Sequence, residues 1–486
     1  MQDYPLSYPI GVVTTYPVDV YAMSTDEEGV HDVLRLRRYR MLEKIYGYAL
    51  AMVLPDNLEV PSHRTLIQEL ESLQSKYPHR MSLKLNGQSR AGRDLVCVEL
   101  GDSDKVIAVT GGAHSDEPAG TVTCLYLAKN LLENPEFEEL LLKHKFVIHP
   151  MLDPDGAALN YRWAREEFSY QDYLLHSFRN NRPAEDCEHG IPVNKDQEIR
   201  PELGFFRSNV DVYKGNIEFY ITLHTTHRTG GSIFAISAKG DHTGRISALA
   251  ELCERFQVPV MDVDLHGEKG IEYIAPGFIA APPMAKLAER FRDNPEILSQ
   301  IKMSTYEYVE HHCGAQFCLI SELPSILDQT LRATCETEID LMELKKAHLD
   351  SRRKWIAALR DAVEELESLG VTEDNPWFDR GKFSARFGMA GVEGEAKDLA
   401  RYEGIKAKQY EVSDERVEEL ERELSLHQLY VKCLGGRDDQ TPLHQDHLHQ
   451  FHEKYRKLEA LIDYRVVPLD RQVRIQTAMI LTGADF

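Results

Sequence analysis

No CxxC pair occurs among the eight cysteines, which argues against a cysteine-based zinc site. For a chain of 486 residues they are also too sparse for a disulfide scaffold. Several lie in apolar runs (VCVEL, TVTCLYL, FCLISEL) and read as buried free thiols. Positive charge is short as well: 56 Lys and Arg face 79 Asp and Glu, a net charge of −23. The basic footprint of a nucleic-acid binder is therefore missing, and an anionic membrane would repel the chain. Long apolar runs are absent. IYGYALAMVL (45–54) is far too short to span a bilayer. MQDYPLSYPIGVVTTYPVDV lacks the basic start and apolar core of a secretory signal. These absences predict a cytoplasmic protein that engages neither nucleic acid nor membrane. There is no repeat and no low-complexity tract.

What is present is alternation. After an extended arm, residues 27–53 and 62–77 read as helices, the second with Ser62 as N-cap. Apolar runs at 80–87, 94–101, 105–112, 145–151, 217–224, 232–237, 258–264 and 316–322 read as strands. Helical patterns at 117–133, 244–256, 282–290 and 295–311 fall between them. Strands alternating with helices predict an α/β fold with a mixed, mostly parallel central sheet and helices on both faces. Beyond about residue 330 the sequence turns charge-rich with helical periodicity, interrupted by TEDNPWFDRGKFSARFG (372–388), which reads as turn-like. The expected organisation is an N-terminal arm and helix (1–61), a catalytic domain (62–330) and a mainly α-helical C-terminal extension (331–486). The extension would act as a lid or join subunits into a homo-oligomer.

Three residues point to chemistry. His114 and Glu117 stand in GGAHSDEPAG, just after the strand-like VIAVTGGA, where the spacing places Glu117 in the first turn of a helix. His224 closes a second strand-like run, IEFYITLH. Two imidazoles and one carboxylate suit catalytic zinc, with a fourth position left for water. A lone HxxE is common by chance, and a surface His beside a dipole-stabilising Glu is its bland reading. Gly111, Gly112 and Gly120 around the pair, and the third histidine, strengthen the metal reading. His224 is preferred to His227, which falls in polar sequence. Glu322 ends the very apolar AQFCLISEL, where a carboxylate is costly without a partner or a role. It is the candidate general base, with a salt-bridged or capping Glu as the alternative.

In combination these motifs resemble the zinc carboxypeptidase family of metallopeptidases, over roughly residues 62–330. NGQSRAGRDLVCVEL is similar to the family's G-x-S-x-x-G-R segment, and HSDE to its HxxE ligand pair. DPDG (153–156) stands where the family has Asn-Pro-Asp-Gly. LHTT supplies the third ligand, and Glu322 matches the catalytic glutamate. The resemblance implies one zinc per chain on His114, Glu117 and His224. It also implies an arginine that polarises the scissile carbonyl, for which Arg162 and Arg165 (NYRWARE) are candidates. For the Asn-Arg pair that holds a substrate carboxylate the chain offers Asn181 and Arg182 (FRNNRP). Tyr273, in the plausible pocket wall 267–287, is a candidate for a mobile tyrosine, or else a core or surface aromatic. These implications make the chain a zinc-dependent metallocarboxypeptidase acting on a peptide or N-acyl amino acid near a free carboxylate. The competing readings are a deacylase resembling succinylglutamate desuccinylase and aspartoacylase, and a scaffold that has lost catalysis. A histidine cluster, His444, His447, His449 and His452, does not share one helix face cleanly and is read as solvated.

Overall fold

The computed structural model describes residues 28–165, 167–179, 185–192, 198–239, 242–261, 272–281, 302–437 and 440–484, with side chains from residue 39 onward. Among the described residues, ten strands build one mixed sheet. They are β1 (Met81–Gln88), β2 (Asp94–Leu100), β3 (Val106–Gly111), β4 (Lys145–His149), β5 (Ile217–Thr229), β6 (Ile233–Ala238), β7 (Glu272–Ala275), β8 (Phe278–Ala280), β9 (Phe317–Asp328) and, near the C-terminus, Tyr464–Val466. Their order is β1-β2-β4-β3-β5-β9-β6-β8-β7, with Tyr464–Val466 pairing to the far half of β9. The central pairs β4-β3, β3-β5 and β5-β9 are parallel, and antiparallel pairs flank them.

The strand sequences explain the layering. Every residue of β3 is buried, as expected of a parallel strand covered on both sides. Ile107 and Val109 face one apolar layer, Val106 and Ala108 the other. The first layer is closed by helices over Glu28–Ala51, His63–Lys76, Ala119–Glu133 and Thr243–Arg255. In His63–Lys76 the Ser62 hydroxyl accepts from the Thr65 amide at 3.1 Å, and Leu66, Leu70 and Leu73 form the buried stripe. The second layer includes Phe205, Phe206 and Val210 of the helix Pro201–Val210. No helix among the described residues is long and apolar enough to cross a membrane.

Several boundaries differ from the sequence reading. Residues 282–290 and 295–301, both expected to be helical, lie outside the described residues. The chain that follows is helical only over Thr305–Tyr308, then widens to a π turn that ends at Gly314 with φ +81°. Of the expected strand 258–264, the described part makes a single bridge, Val260 to Ser232. The segment 372–388 is not a turn. Asn375 accepts from the Trp377 and Phe378 amides and caps a helix over Pro376–Ala396. An Asn-Pro pair that suggests a turn is here an N-cap followed by proline at the first helical position. The helix tolerates Gly381 because a Cβ there would meet Leu429 at 3.2 Å, so glycine permits close packing.

The C-terminal third is not wholly set apart. Helices over Leu341–Ser368, Gln409–Leu434 and Thr441–Glu459 build apolar cores with Pro376–Ala396, but the final helix, Leu469–Leu481, returns to the sheet. Val473, Ile475 and Met479 join the first apolar layer. Just past that helix, a Cβ on Gly483 would lie 2.4 Å from the Phe219 ring.

His149, at the end of β4, is 1% exposed, and neither ring nitrogen has a hydrogen-bond partner among the described residues. Its ring sits 5.0 Å from that of Phe206. Burial lowers its pKa from 6.5 to about 3. The unfolded chain therefore binds the extra proton between these values, so the neutral ring's contribution is complete above pH ~6.5 and is lost as pH falls towards ~3. In His149→Phe, denaturant melts across this window should lose stability less steeply, by up to about 1.4 kcal/mol per pH unit.

Candidate active site

The loop after β3 carries His114 and Glu117. Gly112 turns it with φ +61°, and a Cβ there would strike the Thr121 hydroxyl at 2.7 Å. Gly120 lets the following helix sit directly on β5, since a Cβ would lie 2.9 Å from the Leu223 carbonyl. That close approach brings the loop against His224. Glu117 lies two residues before the helix, which starts at Ala119, rather than in its first turn. The Glu117 amide donates to the His114 carbonyl at 3.2 Å.

His114, Glu117 and His224 converge, with one ligand atom from each lying within 4.8 Å of the others. Glu117 Oε1 is 3.1 Å from His114 Nδ1, and Oε2 is 2.8 Å from His224 Nδ1. The Thr225 amide also donates to Oε2 at 3.1 Å. Glu117 and His224 are almost fully buried. Burial opposes charge on every member, yet the neighbours win. Burial and Arg179 weigh against a charged His114, but Glu117 and Asp186 push its pKa up to about 9. The His224 ring is raised well above its usual value by Glu117, against its own burial. Arg179 and the two rings hold Glu117 well below the carboxylate range despite desolvation. The cluster is thus poised to keep positive charge among its donors. A zinc ion on two imidazoles and a carboxylate meets that demand, and the residues fit it.

Glu322 stands opposite His224 in the parallel register of β5 and β9. Both side chains fall on the same face of the sheet, two and four residues beyond Ile320 and Tyr220 of the second apolar layer. Thr226 Oγ1 donates to Glu322 Oε2 at 2.9 Å. Desolvation, with the Glu117 charge, raises the Glu322 pKa.

Arg162 and Arg165 are both exposed, on and just beyond the helix over Pro154–Ala164, with Arg165 against the Tyr161 ring. The guanidinium that does reach the ligands is Arg179. Its Nε donates to Asp116 Oδ1 at 2.8 Å and its Nη2 to Glu117 Oε1. Asn181 and Arg182 lie outside the described residues. Tyr273 is on the edge strand β7, 46% exposed. Of the histidine cluster, His447 stacks on Tyr430 and meets His427, His452 meets Gln171, and His449 lies near Glu453. They do not converge.

Two carboxylates that the sequence reading passed over back the ligands. Glu188 Oε2 is 3.5 Å from His224 Nε2, and the Thr222 and Thr305 hydroxyls bind it at 3.0 and 2.6 Å. Asp186 Oδ1 lies 3.7 Å from His114 Nε2. Both come from DCEHG. Its acid-x-acid spacing was the available signal, though nothing in it tells a ligand-orienting pair from a polar loop.

Residues 66–235 match the family model for zinc carboxypeptidase. That stretch resembles a zinc carboxypeptidase domain, and all three candidate ligands lie in it. Human carboxypeptidase D is 32% identical over 106 residues, which make up 20% of this chain and 8% of that protein. The mouse protein is 27% identical over 147 residues, 28% of this chain and 10% of its own length. The chain thus matches no more than about a tenth of these curated relatives. Among solved structures, carboxypeptidase A from Helicoverpa armigera aligns with TM-score 0.36 and 15% identity over 60% of this chain and 72% of that one. A metallo-carboxypeptidase from Burkholderia cenocepacia aligns with TM-score 0.33 and 15% identity over 54% and 60%.

Removing a ligand and removing its support should differ in degree. His224→Ala should abolish stoichiometric zinc binding. Glu188→Gln, which leaves the ligands in place, should weaken zinc roughly 10- to 100-fold in chelator competition.

Proposed function

We propose that the chain is a zinc-dependent metallocarboxypeptidase, hydrolysing an amide bond near a free carboxylate of a peptide or N-acyl amino acid. The observation that carries this reading is the register of β5 and β9, which sets Glu322 beside a convergent His-Glu-His set. One zinc ion held by His114, Glu117 and His224 would supply Lewis acidity and a water of lowered pKa. Glu322 takes a proton from the attacking water. Its raised pKa makes it a stronger base than an exposed carboxylate. As the carbon–nitrogen bond breaks, the same oxygen returns that proton to the leaving amine. The carbonyl carbon keeps the water oxygen and ends as a carboxylate. Arg179, which reaches Glu117, would hold the developing oxyanion; Arg162 and Arg165 lie exposed on and just beyond the helix over Pro154–Ala164. Glu188 and Asp186 orient the rings.

The reading is tested with zinc-loaded protein against a panel of C-terminally free peptides and N-acyl amino acids. Glu322→Gln should retain zinc and lose on the order of 10²- to 10⁴-fold in kcat. Turnover of N-acyl amino acids alone would exclude peptidase activity, and unchanged kcat in Glu322→Gln would remove Glu322 from the mechanism.

A further inference from the structure

A cavity of about 260 Å³ opens beside His114 and Glu117, and neither His224 nor Glu322 lines it. It is smaller than the roughly 300–1,000 Å³ typical of small-molecule sites, so it suits one residue-sized group rather than a long chain. The helix over Pro154–Ala164 presents Ala157 and Ala158 to it, and Met151 adds to the apolar wall. Short alanine side chains leave the space open. Two arginines reach the cavity and differ in commitment. Arg93 Nη1 is bound to Asp155 Oδ1 at 2.7 Å. Arg64 is exposed and has no ion-pair partner among the described residues. His63, beside it, is tied by its ring to the Asp94 carbonyl at 2.8 Å. An apolar-walled cavity with one uncommitted cation favours a ligand with an aliphatic body and an anionic end.

We propose that this cavity is a substrate subsite for an aliphatic group ending in a carboxylate, with Arg64 as the residue that recognises that carboxylate. Its place beside a reacting amide rests on the hydrolase reading above. The subsite would select an acidic side chain or a dicarboxylic acyl group, and a cationic group would be repelled.

The test is calorimetric titration of zinc-loaded protein with glutarate and with pentanoate, its monocarboxylate of equal length. Both acids carry one carboxylate that a zinc ion would accept, so the second carboxylate is what the comparison reads. Wild type should bind glutarate about five- to tenfold more tightly, the span of one charge-assisted contact at a partly exposed site. Arg64→Gln should remove that advantage while leaving pentanoate unchanged. Ala158→Leu should weaken both acids by filling the cavity. Equal binding of the two acids to wild type, survival of the glutarate advantage in Arg64→Gln, or indifference of both acids to Ala158→Leu would each overturn the proposal. If the glutarate advantage follows Arg64 but no amide is hydrolysed, the hydrolase reading fails and the carboxylate site stands.

Discussion

Glu117 is a buried carboxylate with four groups directed at it: two imidazole nitrogens, one guanidinium and the Thr225 amide. Burying an ionised carboxylate is unfavourable unless it is this well partnered. Its position needs the loop after β3 to lie against residues 223–225 of β5, which the glycines at 112 and 120 allow. It also needs β5 itself to be fixed between β3 and β9. The register that pairs His224 with Glu322 follows from alternating apolar residues filling both layers, and a slip of either strand by one residue would turn its own side chain to the other face and part the two. Core packing and site geometry are therefore a single constraint.

The C-terminal helices enter that constraint from two sides. Gln476 of the last helix is fully buried, accepts from Thr123 at 2.6 Å and donates to the His224 carbonyl at 3.3 Å. It ties the strand of the third ligand to the helix that follows the first two. On the other face, the helix over Gln409–Leu434 grips the segment that ends in Arg179. Gln428 donates to the Ser177 carbonyl at 3.1 Å, Lys432 meets His176 at 2.6 Å, and Tyr170 donates to Glu421. These contacts span more than 250 residues of sequence. They make the C-terminal region part of what holds the site.

The legible parts of the sequence were those set by local rules. Alternating apolar runs gave the sheet, the Ser62 cap gave its helix, and the glycines flanking HSDE marked a close approach. His224 and Glu322 were conspicuous because polar groups that close apolar runs of sequence need a reason, and His114 and Glu117 because of the glycines around them. Glu188, Asp186 and Arg179 were not conspicuous. They sit in polar, irregular sequence, and their roles arise only when the fold sets them behind the ligands. Arg162 and Arg165 were candidates only through the family resemblance; the helix that Asp153 caps leaves Arg162 exposed and ends before Arg165. The same limit explains the segment 372–388, where an N-cap and a turn share one sequence signature and only the neighbouring helix decides between them.

Asp116 and Glu117 divide two demands between adjacent carboxylates. A divalent cation on Glu117 draws on the same oxygens that Arg179 approaches, so one carboxylate serving both would weaken each. Asp116 relieves that competition. It binds Arg179 Nε at 2.8 Å through Oδ1 and accepts from the Tyr173 hydroxyl at 2.9 Å through Oδ2. Tyr173 in turn stacks on His227 at 5.0 Å, and His227 Nε2 lies 3.7 Å from Glu421. Arg179 therefore has an anchor independent of the metal ligand, and that anchor leads back to the C-terminal helices. In the proposed hydrolase, Nη2 would turn from Glu117 towards a substrate oxygen while Nε stays on Asp116.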